Sequence, residues 1–312
     1  MIRAARPIPR PRELPQFIEP MLAAAGDPFD SDEFLFEIKW DGTRALAFID
    51  RGEVRLMNRR RIDMTARYPE LAFMGSLPAG TVLDGEIVAL KRGKPDFGAL
   101  QRREHAGSRL RVRMLSGSMP ATFMAFDLLY QRHRPILDEP LSLRRQRLRE
   151  LIEHRPHSLL VFSDGVIGAG RDYFAAACQR GLEGVMAKRL DSRYTPGRRS
   201  GAWVKIKQCH TLLCAVIGFL PDGENDFRSL LLATDEGGKA VYVGRVSSGI
   251  DQGTHEQLKA MLFANVIPRP VVDCHVKARW VEPVVYCTIR YLERTASGQL
   301  RAPVFVEVCD AA

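Results

Sequence analysis

Short apolar runs alternate with polar turns along the chain, and the period of each run sets the element it predicts. From Glu33 to Leu56 three strand-like segments follow one another, with Phe34-Leu35-Phe36 in the first and Ala45 to Ile49 in the second. The turn Asp50-Arg51-Gly52-Glu53 introduces the third. Met64 to Leu71 predicts a short helix stopped near Pro78, and Thr81 to Leu90 a strand broken at Gly85. Phe97 to His105, with Arg109, Arg111 and Arg113, reads as basic helix and loop; Thr122 to Tyr130 reads as a buried strand. Leu141 to His154 has helical apolar spacing with Ser142 as candidate N-cap, and Tyr173 to Arg180 forms a second helix capped by Gly181. Gly184 to Leu190 and Trp203 to Lys207 predict strands flanking a polar, basic loop, Asp191 to Gly201.

The texture changes after Lys207. Apolar strands at Leu212–Phe219, Ser229–Ala233 and Val241–Val246 alternate with turn clusters at Pro221–Asp226 and Asp235–Gly238. One helix, Thr254 to Phe263, carries a capping-box pattern at Thr254 and Gln257, and further strands fall in His275–Trp280 and Val284–Leu292. This density of short strands around one helix suits a small five-stranded Greek-key barrel. The expected fold class is therefore α+β: a domain of antiparallel sheets over residues 1–207, then a β-barrel domain over 208–312.

Composition adds a partner. The formal net charge of +9 over 312 residues favours a polyanion, although a basic surface without that role gives the same sum. Arg3, Arg6, Arg10 and Arg12 stand among prolines, which predicts an extended basic arm rather than a signal peptide. Six scattered cysteines form no C-x-x-C pair, which argues against a zinc module or a disulfide framework and for a reducing compartment. Cys209, His210 and Cys214 read as core or turn residues. No apolar run reaches the length of a membrane span, so a cytoplasmic, monomeric protein is expected.

The candidate chemistry gathers around Glu37-Ile38-Lys39-Trp40-Asp41-Gly42-Thr43-Arg44. Lys39 ends one strand and Arg44 opens the next across a glycine turn. An amine there can act as a nucleophile where neighbouring cations or burial favour its neutral form. The motif alone fits a surface hairpin with a solvated lysine equally well. Strand parity puts Lys205 and Lys207 on one face, with Val204 and Ile206 on the other. Such lysines either flank an anion or decorate a solvated edge strand. Glu86 and Glu183 each stand beside a glycine at a strand, as turn residues or as ligands for a metal or hydroxyl. Lys188, Lys205, Lys207, Arg44 and Arg59 could neutralise phosphate, with Glu183, Asp41 or Glu86 available to Mg²⁺ or Mn²⁺. No G-x-x-x-x-G-K-[ST] loop occurs, so side chains rather than a glycine cradle would hold the phosphates.

In order along the chain stand Lys39-Trp40-Asp41-Gly42-Thr43-Arg44, Asp84-Gly85-Glu86, Phe126-Asp127-Leu128-Leu129, Glu183-Gly184-Val185-Met186-Ala187-Lys188 and Trp203-Val204-Lys205-Ile206-Lys207. This series resembles the ordered motifs of covalent nucleotidyltransferases, and more closely an ATP-dependent DNA ligase of the bacterial ligase D or ligase C type. Phe97-Gly98-Ala99-Leu100-Gln101-Arg102-Arg103, Tyr242-Val243-Gly244-Arg245-Val246 and Leu300-Arg301-Ala302-Pro303-Val304-Phe305 extend the resemblance over roughly residues 17 to 310.

The resemblance implies a nucleotidyltransferase (adenylation) domain followed by an OB-fold that swings about a hinge near Lys207–His210. It implies a lysyl-AMP on Lys39, with Glu37 on the adenine amino group, Phe126 stacked on the base and Glu86 on the ribose. Arg44 and Arg59 would meet ribose and phosphate; Lys205 and Lys207 would hold the α-phosphate. Ile38, Met186, Lys188 and Trp203 complete the expected nucleotide contacts, and Glu183, Glu86 and Asp41 the metal set. Arg60, Arg61, Arg102, Arg103, Arg198 and Arg199 would meet DNA. The implied substrates are ATP and nicked or broken duplex DNA, in repair or end joining near the bacterial nucleoid, with a Ku-type end-binding partner. The sequence departs from relatives at Cys309-Asp310-Ala311-Ala312, where they carry R-x-D-K; slower self-adenylation is expected, with sealing of a pre-adenylated nick better preserved. The rival activities are mRNA-capping guanylyl transfer, RNA ligation, NAD⁺-dependent ligation and DNA binding without catalysis.

Overall fold

The computed structural model describes residues 13–295 and 297–309. The arginine-rich arm before Glu13 and the terminal Asp310-Ala311-Ala312 lie outside them. Contacts divide the chain into two units, Met1–Lys207 and Gln208–Ala312.

In the first unit the elements run β1 (Leu22–Ala25), β2 (Ser31–Ile38), β3 (Thr43–Asp50), β4 (Glu53–Asn58), β5 (Thr81–Lys91), β6 (Lys94–Pro95), α1 (Phe97–Glu104), α2 (Arg109–Ser118), β7 (Ala121–Gln131) and β8 (Arg134–Pro135). There follow α3 (Leu141–Glu153), β9 (Leu160–Phe162), β10 (Gly165–Gly168), α4 (Gly170–Gln179), β11 (Gly184–Arg189) and β12 (Arg199–Lys207). Two sheets result. One has the order β4-β3-β5-β7-β8, with β6 on β5 and β9 on β7; the other has the order β1-β12-β11-β2-β10.

Strand alternation builds three apolar layers around these sheets. Ala45, Ala47 and Ile49 of β3 face a core shared with Leu100 of α1 and Leu148 of α3. Leu46 and Phe48 face the opposite way, into a core that holds Phe126 of β7, Tyr194 and Trp203 of β12. A strand buried on both faces reads as an unbroken apolar run, as β3 does. Val185 and Ala187 of β11, with Ile206 of β12, pack with Ala177 of α4. Met186 and Lys188 of β11, and Trp203, Lys205 and Lys207 of β12, therefore turn to the other face of that sheet.

The second unit is a seven-stranded antiparallel sheet. It comprises β13 (His210–Pro221), β14 (Phe227–Asp235), β15 (Ala240–Val246), β16 (Val266–Ile267), β17 (Arg279–Val281), β18 (Tyr286–Tyr291) and, after a small hairpin of β19 (Glu293–Arg294) with β20 (Leu300–Arg301), β21 (Val304–Cys309). Helix α5 (Gln252–Ala264) buries Leu258 and Leu262 against the apolar face of the sheet, beside Val216, Phe219 and Ile289. The sheet is of the expected OB type, but seven strands pair where five are expected, the two- and three-residue β16 and β17 being too short to show a period in the sequence. Cys214 is buried in its core and Cys209 is exposed; none of the six cysteines forms a disulfide.

Several local expectations need correcting. Residues 65–76 form two 3₁₀ turns, Thr65–Arg67 and Pro69–Ser76, because Pro69 supplies no N–H and holds Tyr68 outside the helical region. The strand expected to break at Gly85 runs through it, with a register shift against β7. A Cβ there would lie 2.3 Å from Phe123 Cε1, so the glycine serves close strand approach. Ser142 does not cap α3: Pro140 occupies that place, and the free N–H groups of Leu141 and Ser142 donate to the carbonyls of Ser192 and Leu190. Asp251, not Thr254, caps α5 by accepting from Thr254 N at 2.9 Å. Residues 275–278 form no strand; β17 begins at Arg279. The cap of α4 is as expected: Gly181, at φ +71°, follows the helix with N–H donation from Gly181 to Cys178 and from Leu182 to Ala177.

Candidate active site

The two sheets of the first unit leave a cavity of about 320 Å³ between them. Lys39, Glu37, Ile38, Arg44, Arg59, Glu86, Phe126, Met186, Lys188, Trp203, Lys205 and Lys207 all line it. Every residue expected to meet the nucleotide thus converges on one space.

Lys39 directly follows β2, and its N–H is fixed on the Gly184 carbonyl at 3.0 Å. Its Nζ donates to the Glu183 carboxylate, whose other oxygen lies 2.6 Å from Lys207 Nζ. Burial alone would raise the Glu183 pKa, but the two ammonium groups hold it below the ordinary carboxylate range. The next turn presses onto β5. A Cβ on Gly42 would lie 2.3 Å from the Ile87 carbonyl and 2.9 Å from Glu86 Cγ, so only glycine lets Glu86 stand this close to the nucleophile turn. Burial pushes the Glu86 carboxyl up to about 8, against the pull of Lys39 and Arg44 and with support from Asp84 and Glu183. Lys205 is shifted the other way, downward, by burial and by Lys207, Arg199 and Lys39.

Arg44 is less free than expected of a phosphate ligand. Nε and Nη2 form a fork on Asp84 at 3.0 and 2.7 Å, and Nη1 donates to the Met21 carbonyl at 2.6 Å. Tyr194 closes the network by donating to Asp84 at 2.7 Å and accepting from Met21 N at 2.9 Å. Burial lowers the guanidinium pKa, yet the Asp84 carboxylate carries it above its ordinary value. Arg44 therefore ties β3 to the segment entering β1 and keeps one Nη1 proton for the cavity.

Glu37 borders the cavity with a cation on each carboxylate oxygen, Arg145 Nη1 at 2.8 Å on one and Lys188 on the other. The Lys188 ammonium lies 3.9 Å from the Phe126 ring centre and 4.2 Å from that of Trp203. Burial draws the Lys188 pKa down, and Glu37 opposes this.

Asp41 lies on the turn beyond Lys39 and, like Glu183, is not among the residues that line the cavity, but Glu183 meets the cavity through Lys39 and Lys207. Arg60, Arg61, Arg102, Arg198 and Arg199 are exposed, as a DNA face requires. Arg61 pairs with Glu19 at 2.7 Å, and Arg199 both borders the cavity and donates to the Ala23 carbonyl. Arg103 is the correction: it is 1% exposed and bonds Glu70 at 2.6 Å and the Arg67 carbonyl at 2.9 Å. It points into the protein because it joins α1 to the 3₁₀ turns, and no DNA can reach it.

Sequence reading missed Arg145, Tyr194 and Ser163. For Arg145 a signal existed. Leu141, Arg144, Arg145, Leu148 and Ile152 share the buried stripe of α3, so two arginines occupy positions where apolar side chains belong.

A lysine at a cavity between two sheets, cations along one strand and a following OB-type unit are the layout of the covalent nucleotidyltransferase class. The chain belongs to the ATP-dependent DNA ligases: residues 20–207 match the ATP dependent DNA ligase domain and residues 223–310 the ATP dependent DNA ligase C terminal region. It is 33% identical over 324 residues to the multifunctional non-homologous end joining protein LigD of Pseudomonas aeruginosa, covering 97% of this chain and 37% of that protein. It is 36% identical over 300 residues to the LigD of Mycobacterium tuberculosis, covering 91% and 37%. The chain thus spans 37% of the length of these two curated relatives. The solved structure of mycobacterial DNA ligase D complexed with ATP and MES matches with a TM-score of 0.57 and 33% identity, covering 95% of this chain and 96% of that one. No helix among the described residues is long and apolar enough to cross a membrane.

Proposed function

We propose that Lys39 takes AMP from ATP and passes it to a DNA 5′-phosphate, so that the chain seals nicks and broken ends in duplex DNA. The observation that carries this reading is Lys39 Nζ seated on Glu183 at a cavity that Lys205, Lys207, Glu86 and Phe126 also line. In the first step the amine, having lost a proton to solvent, forms a P–N bond at the α-phosphorus as the bond to pyrophosphate breaks. A 5′-phosphate oxygen then attacks the same phosphorus, and the leaving lysine nitrogen regains its proton. Finally a 3′-hydroxyl attacks the DNA phosphorus, and AMP departs as that hydroxyl loses its proton. Each transfer gathers negative charge on a phosphoryl group, which Lys205 and Lys207 are placed to offset. Phe126 and Met186 offer faces to the base, and Glu86 an acceptor to the ribose.

Mg²⁺ or Mn²⁺ would be held by Glu183 and Glu86. Among the described residues no three His, Cys, Asp or Glu side chains form a ready cage. That suits an ion that keeps much of its water and binds through one or two carboxylates and substrate phosphate. Bound there, it would supply charge neutralisation at the phosphates. The likeness to LigD proteins supports a role in end joining with a Ku-type end-binding partner.

The test is intact mass after incubation with ATP and Mg²⁺. One added AMP is expected on the wild type, none on Lys39→Ala, and none from GTP. Nicked-duplex sealing at the wild-type rate by Lys39→Ala would overturn the reading.

A further inference from the structure

We infer that Arg145, which no expectation placed in the site, is a positioning residue that sets purine selection by holding Glu37. This deepens the adenylation reading and rests on it. The Arg145 guanidinium is nearly buried and divides its protons among Glu37 and Phe126, which line the nucleotide cavity, and Ser163 in the connection after β9. Nη1 donates to Glu37 Oε2 at 2.8 Å and to the Phe126 carbonyl at 3.2 Å; Nη2 donates to the Ser163 carbonyl at 2.6 Å. The Ser163 hydroxyl in turn accepts from Trp40 Nε1 at 2.9 Å. One side chain of α3 thereby fixes the carboxylate two residues before the nucleophile, the backbone of the residue that stacks on the base, and the indole next to Lys39.

A buried cation needs acceptors and a counter-charge, and this one takes its counter-charge from Glu37 and donates further to the Phe126 and Ser163 carbonyls. A planar fork reaches separate acceptors from two nitrogens in fixed directions, whereas the three donors of a lysine ammonium radiate from one rotating centre. With Arg145 on one oxygen and Lys188 on the other, the Glu37 carboxylate cannot rotate. A carboxylate accepts and does not donate, so whatever lone pairs it still turns to the cavity favour an exocyclic amino group over a ring carbonyl. Loss of the Arg145 contacts frees Glu37 to turn toward Lys188 and blurs that choice.

The experiment compares lysyl-nucleotide formation from ATP and from purine riboside triphosphate, which lacks the 6-amino group. It uses the full chain as wild type, Arg145→Lys, Arg145→Gln and Glu37→Gln, with thermal melts for each; the two Arg145 variants are run together so that one still decides the matter if the other is unstable. Wild type should prefer ATP, and a folded Arg145 variant should lose about tenfold of that preference, mostly through KM. The same Arg145 substitution in the Glu37→Gln background should add almost nothing, because the two act as one unit. Unchanged preference in a folded Arg145 variant, or an equal further loss in the Glu37→Gln background, overturns the inference. Absence of any wild-type adduct with ATP sinks the adenylation reading instead.

Discussion

Glu86 is a side chain whose charge state the site moves toward neutral pH. Its pKa is carried from 4.5 to about 8, chiefly by burial. A carboxyl that binds its proton more tightly when folded stabilises the fold at low pH, and that contribution is lost as pH rises from about 4.5 to about 8. Glutamine mimics the protonated acid. Glu86→Gln should therefore melt close to wild type near the lower limit of that window and above it, by a few degrees, beyond the upper limit. Melting curves across the window decide the matter; a gap that does not widen with pH would mean that Lys39 and Arg44 already neutralise the carboxylate. The same carboxyl, meeting the ribose as an ionised acceptor, should make ATP binding strengthen as pH rises through about 8, which titration of the Lys39→Arg variant, keeping a positive charge beside Glu86, would read without turnover.

At the scale of elements, α3 is bolted to β7 by a pair with no solvent around it. Arg144 and Asp127 are both 0% exposed and meet through two bonds of 2.8 Å. Removing one partner strands a buried charge, so Arg144→Ala should cost about 3–5 kcal/mol in denaturant titrations. Replacing both by apolar residues, Asp127→Leu with Arg144→Met, should return most of the loss. That pair also shows which parts of the fold the sequence made legible. Largely apolar runs expose the long strands β3, β5 and β7, and the parity of residues 203–207 puts Lys205 and Lys207 on one face, which is the cavity side. Contacts between distant segments were invisible: β1 exists only because β12 offers it a parallel edge, and β9 and β10 are too short to carry a period. The catalytic candidates were read from motifs, whereas Arg145 and Tyr194, which hold Glu37 and Arg44, act through tertiary bonds that no local spacing encodes.

For the molecule as a whole, the net charge of +9 becomes an argument about DNA only through the arginines that solvent can reach. Arg60, Arg61, Arg102 and Arg198 are exposed, whereas Arg103 is buried and paired with Glu70. Each phosphate contact contributes about 0.9 to the slope of log affinity against log salt. Alanine at an exposed arginine that touches DNA should weaken nicked-duplex binding at low salt and flatten that slope by about one. Arg103→Ala should leave the slope alone. It should instead lower stability by about 3–5 kcal/mol, because Glu70 would keep a buried carboxylate without its partner. Titrations of nicked duplex between about 50 and about 200 mM salt, beside denaturant melts, separate the two effects. A flattened slope in folded Arg103→Ala would place DNA against the inner layer of α1 and reverse the assignment of the basic face.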